Sequence, residues 1–133
     1  MSFLDSPHFL RRVLLADAVI SGATGVMLAL GVDLIAPLTG LPVALLRYAG
    51  VSLLPFAAIV AAVAMRASIS TPAVWAIVAY NALWTIDSIV LLVSGYVAPT
   101  ALGYAFVIAQ ALAVGLLAEL QYFGLRRAAR RTA

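Results

Sequence analysis

Apolar positions dominate four long stretches of the chain, and polar or turn-forming residues separate them. A transmembrane helix needs about 20 predominantly apolar residues, so each stretch is long enough to cross a bilayer. The pattern predicts an all-α fold, an integral membrane four-helix up-down-up-down bundle in which short loops make consecutive helices antiparallel neighbours. The four predicted spans cover residues 13–36, 43–65, 73–95 and 101–122, within one bundle over residues 13–124.

The segments between the spans carry signals for helix ends. Ser70 or Thr71, directly before Pro72, predicts the start of the third helix, because a hydroxyl side chain caps a helix and proline fits its first turn. Thr100 predicts the cap of the fourth helix in the same way. Gly124 predicts the end of the fourth helix, since glycine is common just beyond a helix.

The composition supports a membrane protein. Of the 133 residues, 65% are apolar and 10% are charged, whereas a soluble domain has about 25% charged residues. Mean hydropathy is +1.14. Cysteine is absent, which excludes disulfides, thiolate metal sites and cysteine nucleophiles. The one histidine, His8, precedes the first span, so one chain offers no bis-histidine haem site and no histidine-rich zinc site.

The arginines predict the orientation of the chain. With four crossings, all eight arginines except Arg47 fall at the side of the membrane that holds both termini. By the positive-inside rule, that side is the cytoplasm. We therefore predict a multi-pass protein of the bacterial inner membrane, with a cytoplasmic or interfacial lead over residues 1–12 and a basic cytoplasmic tail over residues 125–133. Because the arginines flank apolar runs, we expect them to contact lipid headgroups and not nucleic acid.

A line of polar residues runs along the third span. Asn81, Trp84, Thr85 and Ser88 follow helical spacing and share one face, and Gln110 lies at a similar depth in the fourth span. One hypothesis is a polar mid-membrane pocket in which Trp84 forms a wall and the two amides bind a ligand. The alternative is ordinary hydrogen bonding between helices, which stabilises a membrane protein by about 0.6 kcal/mol per contact.

Charged residues within the spans form a second set of candidate site residues. They are candidates either for an ion pair between helices or for an ion path through the membrane. A charge inside a membrane helix is costly and usually has a partner. Near the outer side, Arg47 has two candidate partners, Asp33 and Asp87. Near the inner side, Asp17 and Glu119 form a proton site if their side chains converge. The alternative is purely structural pairing. The candidates are Asp17, Asp33, Arg47, Asp87 and Glu119.

The sequence contains no motif that predicts catalysis. Metalloprotease, hydrolase, phosphate-binding and dinucleotide-binding signatures are missing from the chain. The loops are too short to hold a soluble catalytic site. We therefore expect no enzyme activity, no catalytic residue and no metal site, and the sequence leaves any cofactor unknown.

Four segments carry a resemblance to a family. RRVLLADAVISGATG, LPVALLRYAGVSLLPFAA, NALWTIDS and AELQYFGLRR resemble a group of small, uncharacterised four-helix integral membrane proteins of proteobacteria. The resemblance covers most of the chain. It implies the fold and the topology, and it implies no activity.

Three functions fit these observations. The first is a non-enzymatic membrane subunit or assembly partner that associates with itself or with another membrane protein through small residues. The second is a homo-oligomeric small transporter or channel that uses intramembrane carboxylates. The third is a binder of a lipophilic molecule, such as a quinone, pigment or lipid, held between the second, third and fourth spans near Trp84 and Gln110. We rank them in this order on the sequence alone.

Overall fold

The computed structural model describes residues 8–132 and the side chains of residues 8–128. The regular secondary structure of the described residues is entirely α-helical, and four of the helices are long and apolar enough to cross a membrane. The helices are α1 (Phe9–Leu30), α2 (Val32–Thr39), α3 (Val43–Met65), α4 (Thr71–Val93) and α5 (Ala101–Thr132).

The first predicted span is divided in two. It begins at Phe9, earlier than predicted, and breaks at Gly31, where the short α2 starts. A Cβ on Gly31 would lie 2.8 Å from the carbonyl oxygen of Met27, so the break needs a residue without a side chain. Gly40 then ends α2 in the left-handed conformation, with φ of 70°, which is the usual role of glycine after a helix.

The long helices form two pairs. α1 packs along α3, α4 packs along α5, and contacts between α1 and α5 join the pairs. α3 and α4 follow each other in the chain but touch sparsely, which departs from the expectation that all consecutive helices are close neighbours. One point of contact between them is the stack of Phe56 on Tyr80, whose ring centres are 4.0 Å apart.

Two glycines allow α1 and α3 to approach closely. A Cβ on Gly50 would lie 2.7 Å from the backbone nitrogen of Ala29 and 2.9 Å from the carbonyl oxygen of Gly25. Small residues at such crossings let helix backbones come together. The α1–α3 pair therefore depends on the missing side chain at position 50.

The last helix is longer than predicted. α5 continues through Gly124 to Thr132, so Gly124 does not end the helix and the predicted tail begins as helix. A Cβ on Gly124 would lie 3.1 Å from Leu10 Cδ1 and 3.2 Å from Leu10 Cβ. Gly124 thus makes room for the start of α1. Of the predicted lead, residues 1–7 lie outside the described residues, and residues 8–12 lead into or belong to α1.

The predicted caps of α4 and α5 are confirmed. Ser70 Oγ accepts a hydrogen bond from the backbone nitrogen of Ala73 at 3.4 Å, and Thr100 Oγ1 accepts one from Gly103 at 3.1 Å. At the same end of the bundle, Thr100 also donates to the carbonyl of Leu38 at 2.7 Å, which ties the start of α5 to α2. We call this end the α2 end.

An arginine joins α1 to α3 at the opposite end, which we call the arginine end. The Arg11 guanidinium donates to the carbonyls of Ala64, Arg66 (2.7 Å) and Ala67 (3.3 Å). These carbonyls lie at or just beyond the end of α3, where backbone oxygens have no partner inside the helix. Arg11 therefore satisfies the C-terminus of α3 from the start of α1.

The outer surface of the described bundle is apolar. Val19, Leu34 and Leu112 are each 70% exposed, and Leu30 is 83% exposed. Several of the most buried side chains, by contrast, are polar, among them Asp17 and Gln121. Soluble monomers rarely expose large contiguous apolar patches, so this distribution fits a lipid environment.

Candidate functional site

A buried carboxylate lies where α1, α4 and α5 meet. Asp17 is 1% exposed, and its neighbours Asn81 and Gln121 are 2% and 0% exposed. Asp17 Oδ2 accepts hydrogen bonds from Asn81 Nδ2 at 2.8 Å and from Gln121 Nε2 at 2.7 Å. Asp17 Oδ1 accepts a third bond from Ser21 Oγ at 2.9 Å. One side chain from each helix, together with Ser21, therefore forms the Asp17 network.

The network satisfies its polar groups without a basic residue. Asn81 Nδ2 also donates to Gln121 Oε1 at 3.1 Å, so both of its protons are used. Among the described residues, no fully buried side-chain nitrogen or oxygen lacks a hydrogen bond. Burial of a carboxylate is costly unless it is hydrogen-bonded, and three donors provide that here. The network is thus a polar junction of three helices.

A second network lies one to two turns along α4 toward the α2 end. Trp84 Nε1 donates to Gln110 Oε1 at 2.7 Å, and Gln110 Nε2 donates to Ser88 Oγ at 2.9 Å and to the Val107 carbonyl at 3.0 Å. Ser88 Oγ donates back to the Trp84 carbonyl at 2.8 Å. The Trp84 network therefore joins α4 to α5.

The structure divides the predicted polar line between these two networks. Trp84, Ser88 and Gln110 come together, whereas Asn81 turns to Asp17. Thr85 joins neither side-chain network, because its hydroxyl donates to the Asn81 carbonyl within α4 at 2.9 Å. Interhelical hydrogen bonding is present, as one of the two hypotheses expects, and ligand binding by these residues stays a prediction.

Gln121 belongs to the Asp17 network but was missed among the sequence candidates. It follows Gln110 by about three turns at about 3.6 residues per turn, so the two glutamines share one face of α5. That spacing is the signal in the sequence that points to Gln121. Gln121 also lies near the basic end of the chain, where polar residues are expected to contact the membrane–water interface. For that reason its spacing from Gln110 is easily overlooked.

A cleft of about 740 Å³ separates α3 from α4 toward the α2 end. We call it the α3–α4 cleft. α1 and α5 contribute to its lining as well. The Trp84 network, whose Ser88 is buried, forms the end of the cleft inside the bundle, which we call its inner end. The lining is mostly apolar and includes Leu28, Leu45, Leu46, Val90, Leu91 and Val107, with Tyr48 and Tyr96 strongly exposed at the rim.

A small cavity of about 40 Å³ lies between the two networks. Ser21 and Asn81 from the Asp17 network line it, and so do Thr24, Trp84 and Gln110, which also line the α3–α4 cleft. The space suffices for a water molecule with several polar neighbours. The polar residues of the bundle therefore form a continuous series from the cleft to Asp17.

The other charged candidates are exposed. Asp33, Arg47, Asp87 and Glu119 all lie on the surface of the described bundle, and no ion pair joins Arg47 to Asp33 or Asp87 in the part of the chain that is described. The partners of Asp17 are two amides and a serine, not Glu119. Asp87 lines the α3–α4 cleft. A role for these residues in ion binding or conduction stays a prediction.

The described residues offer no cluster for a metal ion. Residues 8–128 contain no group of three or more histidine, cysteine, aspartate or glutamate side chains that could hold one. The site therefore consists of a hydrogen-bonded carboxylate, a tryptophan–glutamine–serine cluster and an apolar cleft. Such an arrangement suits the binding of a small amphipathic molecule.

Comparison with known proteins yields no relative. No family model, no curated protein and no solved structure matches the chain. The resemblance to small proteobacterial membrane proteins therefore stays a prediction.

Proposed function

We propose that this protein is a multi-pass membrane protein that binds a lipophilic small molecule in the α3–α4 cleft. The observation that carries the proposal is the cleft itself. Its volume of about 740 Å³ falls within the range of about 300–1,000 Å³ that small-molecule sites occupy. A mostly apolar lining with a few polar groups at one end is the usual composition of such sites.

The outer surface supports the membrane part of the proposal. Four helices have the length and hydropathy of membrane spans, and large aliphatic side chains face outward along them. In a bilayer these side chains contact lipid tails. Val90, which lines the cleft, is also exposed on the outer surface, so we expect the cleft to open toward the same apolar phase. A ligand that partitions into the bilayer thus reaches the cleft without crossing water. The arginines favour a bacterial inner membrane with both termini in the cytoplasm.

The cleft changes the ranking made from the sequence. The subunit hypothesis predicts helix faces that pack on a partner, and the cleft provides a specific site that this hypothesis does not require. The transporter hypothesis needs charged residues along a shared path, but Asp17 and Glu119 are not partners and Glu119 is exposed. The binder hypothesis placed its ligand near Trp84 and Gln110, which line the cleft. We therefore favour the binder.

Native mass spectrometry after gentle extraction from the membrane tests the proposal. We expect the wild-type protein to carry a small-molecule adduct at fixed stoichiometry. Ala49 lines the cleft and is half-buried, so Ala49→Phe fills the cleft and removes the adduct. Ala58 lies exposed on the same helix and outside the cleft, so Ala58→Phe adds the same volume and keeps the adduct.

Two results would contradict the proposal. One is a wild-type protein without any adduct, or with adducts that Ala49→Phe and Ala58→Phe retain equally, as loosely attached lipid would be. The other is a stable complex with a different membrane protein and an empty cleft, which would favour the subunit hypothesis. Leu91→Trp fills the cleft from α4 and should also remove the adduct. Its result tests the proposal independently if Ala49→Phe fails to fold.

A further inference from the structure

We infer that the α3–α4 cleft selects cationic amphiphiles, molecules with a positively charged nitrogen headgroup and an apolar body. This inference rests on the proposed function, because it names the chemical class of the ligand in the same cleft. It is carried by the charged residue of the lining, by the aromatic residues of the same lining, and by the hydrogen bonds already formed at the inner end.

The cleft has a negative charge without a partner. Among the described lining residues, Asp87 is the one with a charged side chain. It forms no hydrogen bond or ion pair within the part of the chain that is described. Asp87 lies about 9 Å before the end of α4, at about 1.5 Å per residue. A charged side chain within a membrane span is costly and usually has a partner, and a bound cation provides one.

Aromatic rings also line the cleft. Tyr48, Trp84, Tyr96 and Phe106 all line the cleft, from α3, α4, the following loop and α5. The face of an aromatic ring attracts a cation within about 6 Å of its centre, most strongly for tryptophan. Quaternary ammonium groups are commonly recognised in this way. The aromatic lining and Asp87 therefore favour the same headgroup.

An anionic headgroup finds no comparable partner. Arg47, the arginine of α3, does not line the cleft. At the inner end, the N–H groups of Trp84 and Gln110 and the hydroxyl of Ser88 donate to other protein groups. These side chains retain acceptor lone pairs, which suit a cation or a donor. A sulfonate or phosphate would meet Asp87 without a base to offset the repulsion.

Fluorescence quenching in reconstituted vesicles tests the inference. The chain has two tryptophans, so Trp75→Phe leaves Trp84 as the one reporter in the cleft. Three brominated probes of equal chain length carry a trimethylammonium, a hydroxyl or a sulfonate headgroup. In phosphatidylcholine vesicles, we expect saturable quenching of Trp84 at the lowest concentration by the ammonium probe. Asp87→Asn should weaken its apparent affinity by about tenfold.

Asp33→Asn is the matched control, because it removes the same charge from an exposed position outside the cleft. We expect it to leave the affinity for the ammonium probe unchanged. Equal saturable quenching by all three probes, unaffected by Asp87→Asn, would overturn the inference and leave the proposed cleft intact. Quenching that rises linearly with every probe, without saturation, would instead reject the cleft as a binding site and the inference with it.

Discussion

Asn81 on α4 binds the carboxylate of Asp17 on α1, with 2.8 Å between Asn81 Nδ2 and Asp17 Oδ2. The same amide nitrogen also donates to Gln121 on α5. One side chain thereby joins three helices that come from both helix pairs of the bundle. Because the contacts between α3 and α4 are sparse, this junction is an important connection between the α1–α3 pair and the α4–α5 pair.

Replacing Asn81 should destabilise the bundle. In Asn81→Leu, Asp17 Oδ2 loses one of its two donors and the buried Gln121 Oε1 loses its donor, and an unsatisfied buried polar group costs about 1–3 kcal/mol. Thr85→Val is the control, because the Thr85 hydroxyl bonds within its own helix, and we expect a change within about 0.5 kcal/mol. Reversible unfolding in mixed micelles measures both. Equal stability of the two variants would show that the Asp17 network contributes nothing to the fold.

A side chain at position 50 should destabilise the crossing of α1 and α3. A Cβ there would lie within 3 Å of backbone atoms of α1, so Gly50→Ala must push the helices apart, at a cost of about 1–3 kcal/mol. Gly22→Ala tests the same helix pair at a place with room, since its Cβ would lie 3.6 Å from Ala57 Cβ. We expect Gly22→Ala to be neutral or stabilising, because alanine favours helix over glycine.

The two variants are compared by thermal unfolding in detergent. A lower midpoint for Gly50→Ala and an unchanged or higher midpoint for Gly22→Ala agree with the described crossing. Unfolding of Gly22→Ala at a lower temperature than Gly50→Ala would mean that α1 and α3 cross elsewhere.

The proposed topology places the two ends of the bundle on opposite sides of the membrane. Ser68 lies at the arginine end and Ser94 at the α2 end, and both are exposed. The natural chain has no cysteine, so Ser68→Cys and Ser94→Cys each introduce a single thiol. In cells with a permeable outer membrane, a membrane-impermeant maleimide should label position 94 and not position 68. Labelling of both positions from outside would contradict the four-span topology.

Local features of the chain could be predicted from the sequence. The approximate extents of two long helices, α3 and α4, follow from runs of apolar residues, and the caps at Ser70 and Thr100 follow from side chains that satisfy the first backbone N–H groups. Gly124 shows where local reasoning fails. Glycine favours a helix end in isolation, but its position against Leu10 gives it a packing role that only the folded chain defines.

The site depends on relations that the sequence pattern does not contain. Helical spacing placed Asn81 and Trp84 on one face of α4, yet the two side chains have different partners. At the level of Asn81 both α1 and α5 supply a partner, whereas Trp84 bonds to α5 alone. The cleft exists because α3 and α4 stay apart beyond the stack of Phe56 on Tyr80. Such a separation results from the pairing of whole helices, and no local residue pattern encodes it.

Photoaffinity labelling tests the central claim, ligand binding in the α3–α4 cleft, most directly. A lipophilic probe with a diazirine is bound in native membranes, activated by light, and located by peptide mass spectrometry. We expect adducts to concentrate on cleft residues such as Ser52, Leu91 and Phe106 and to disappear from them in Ala49→Phe. Adducts that instead follow lipid exposure, on outward residues such as Leu34 and Leu112 and not in the cleft, would contradict the account.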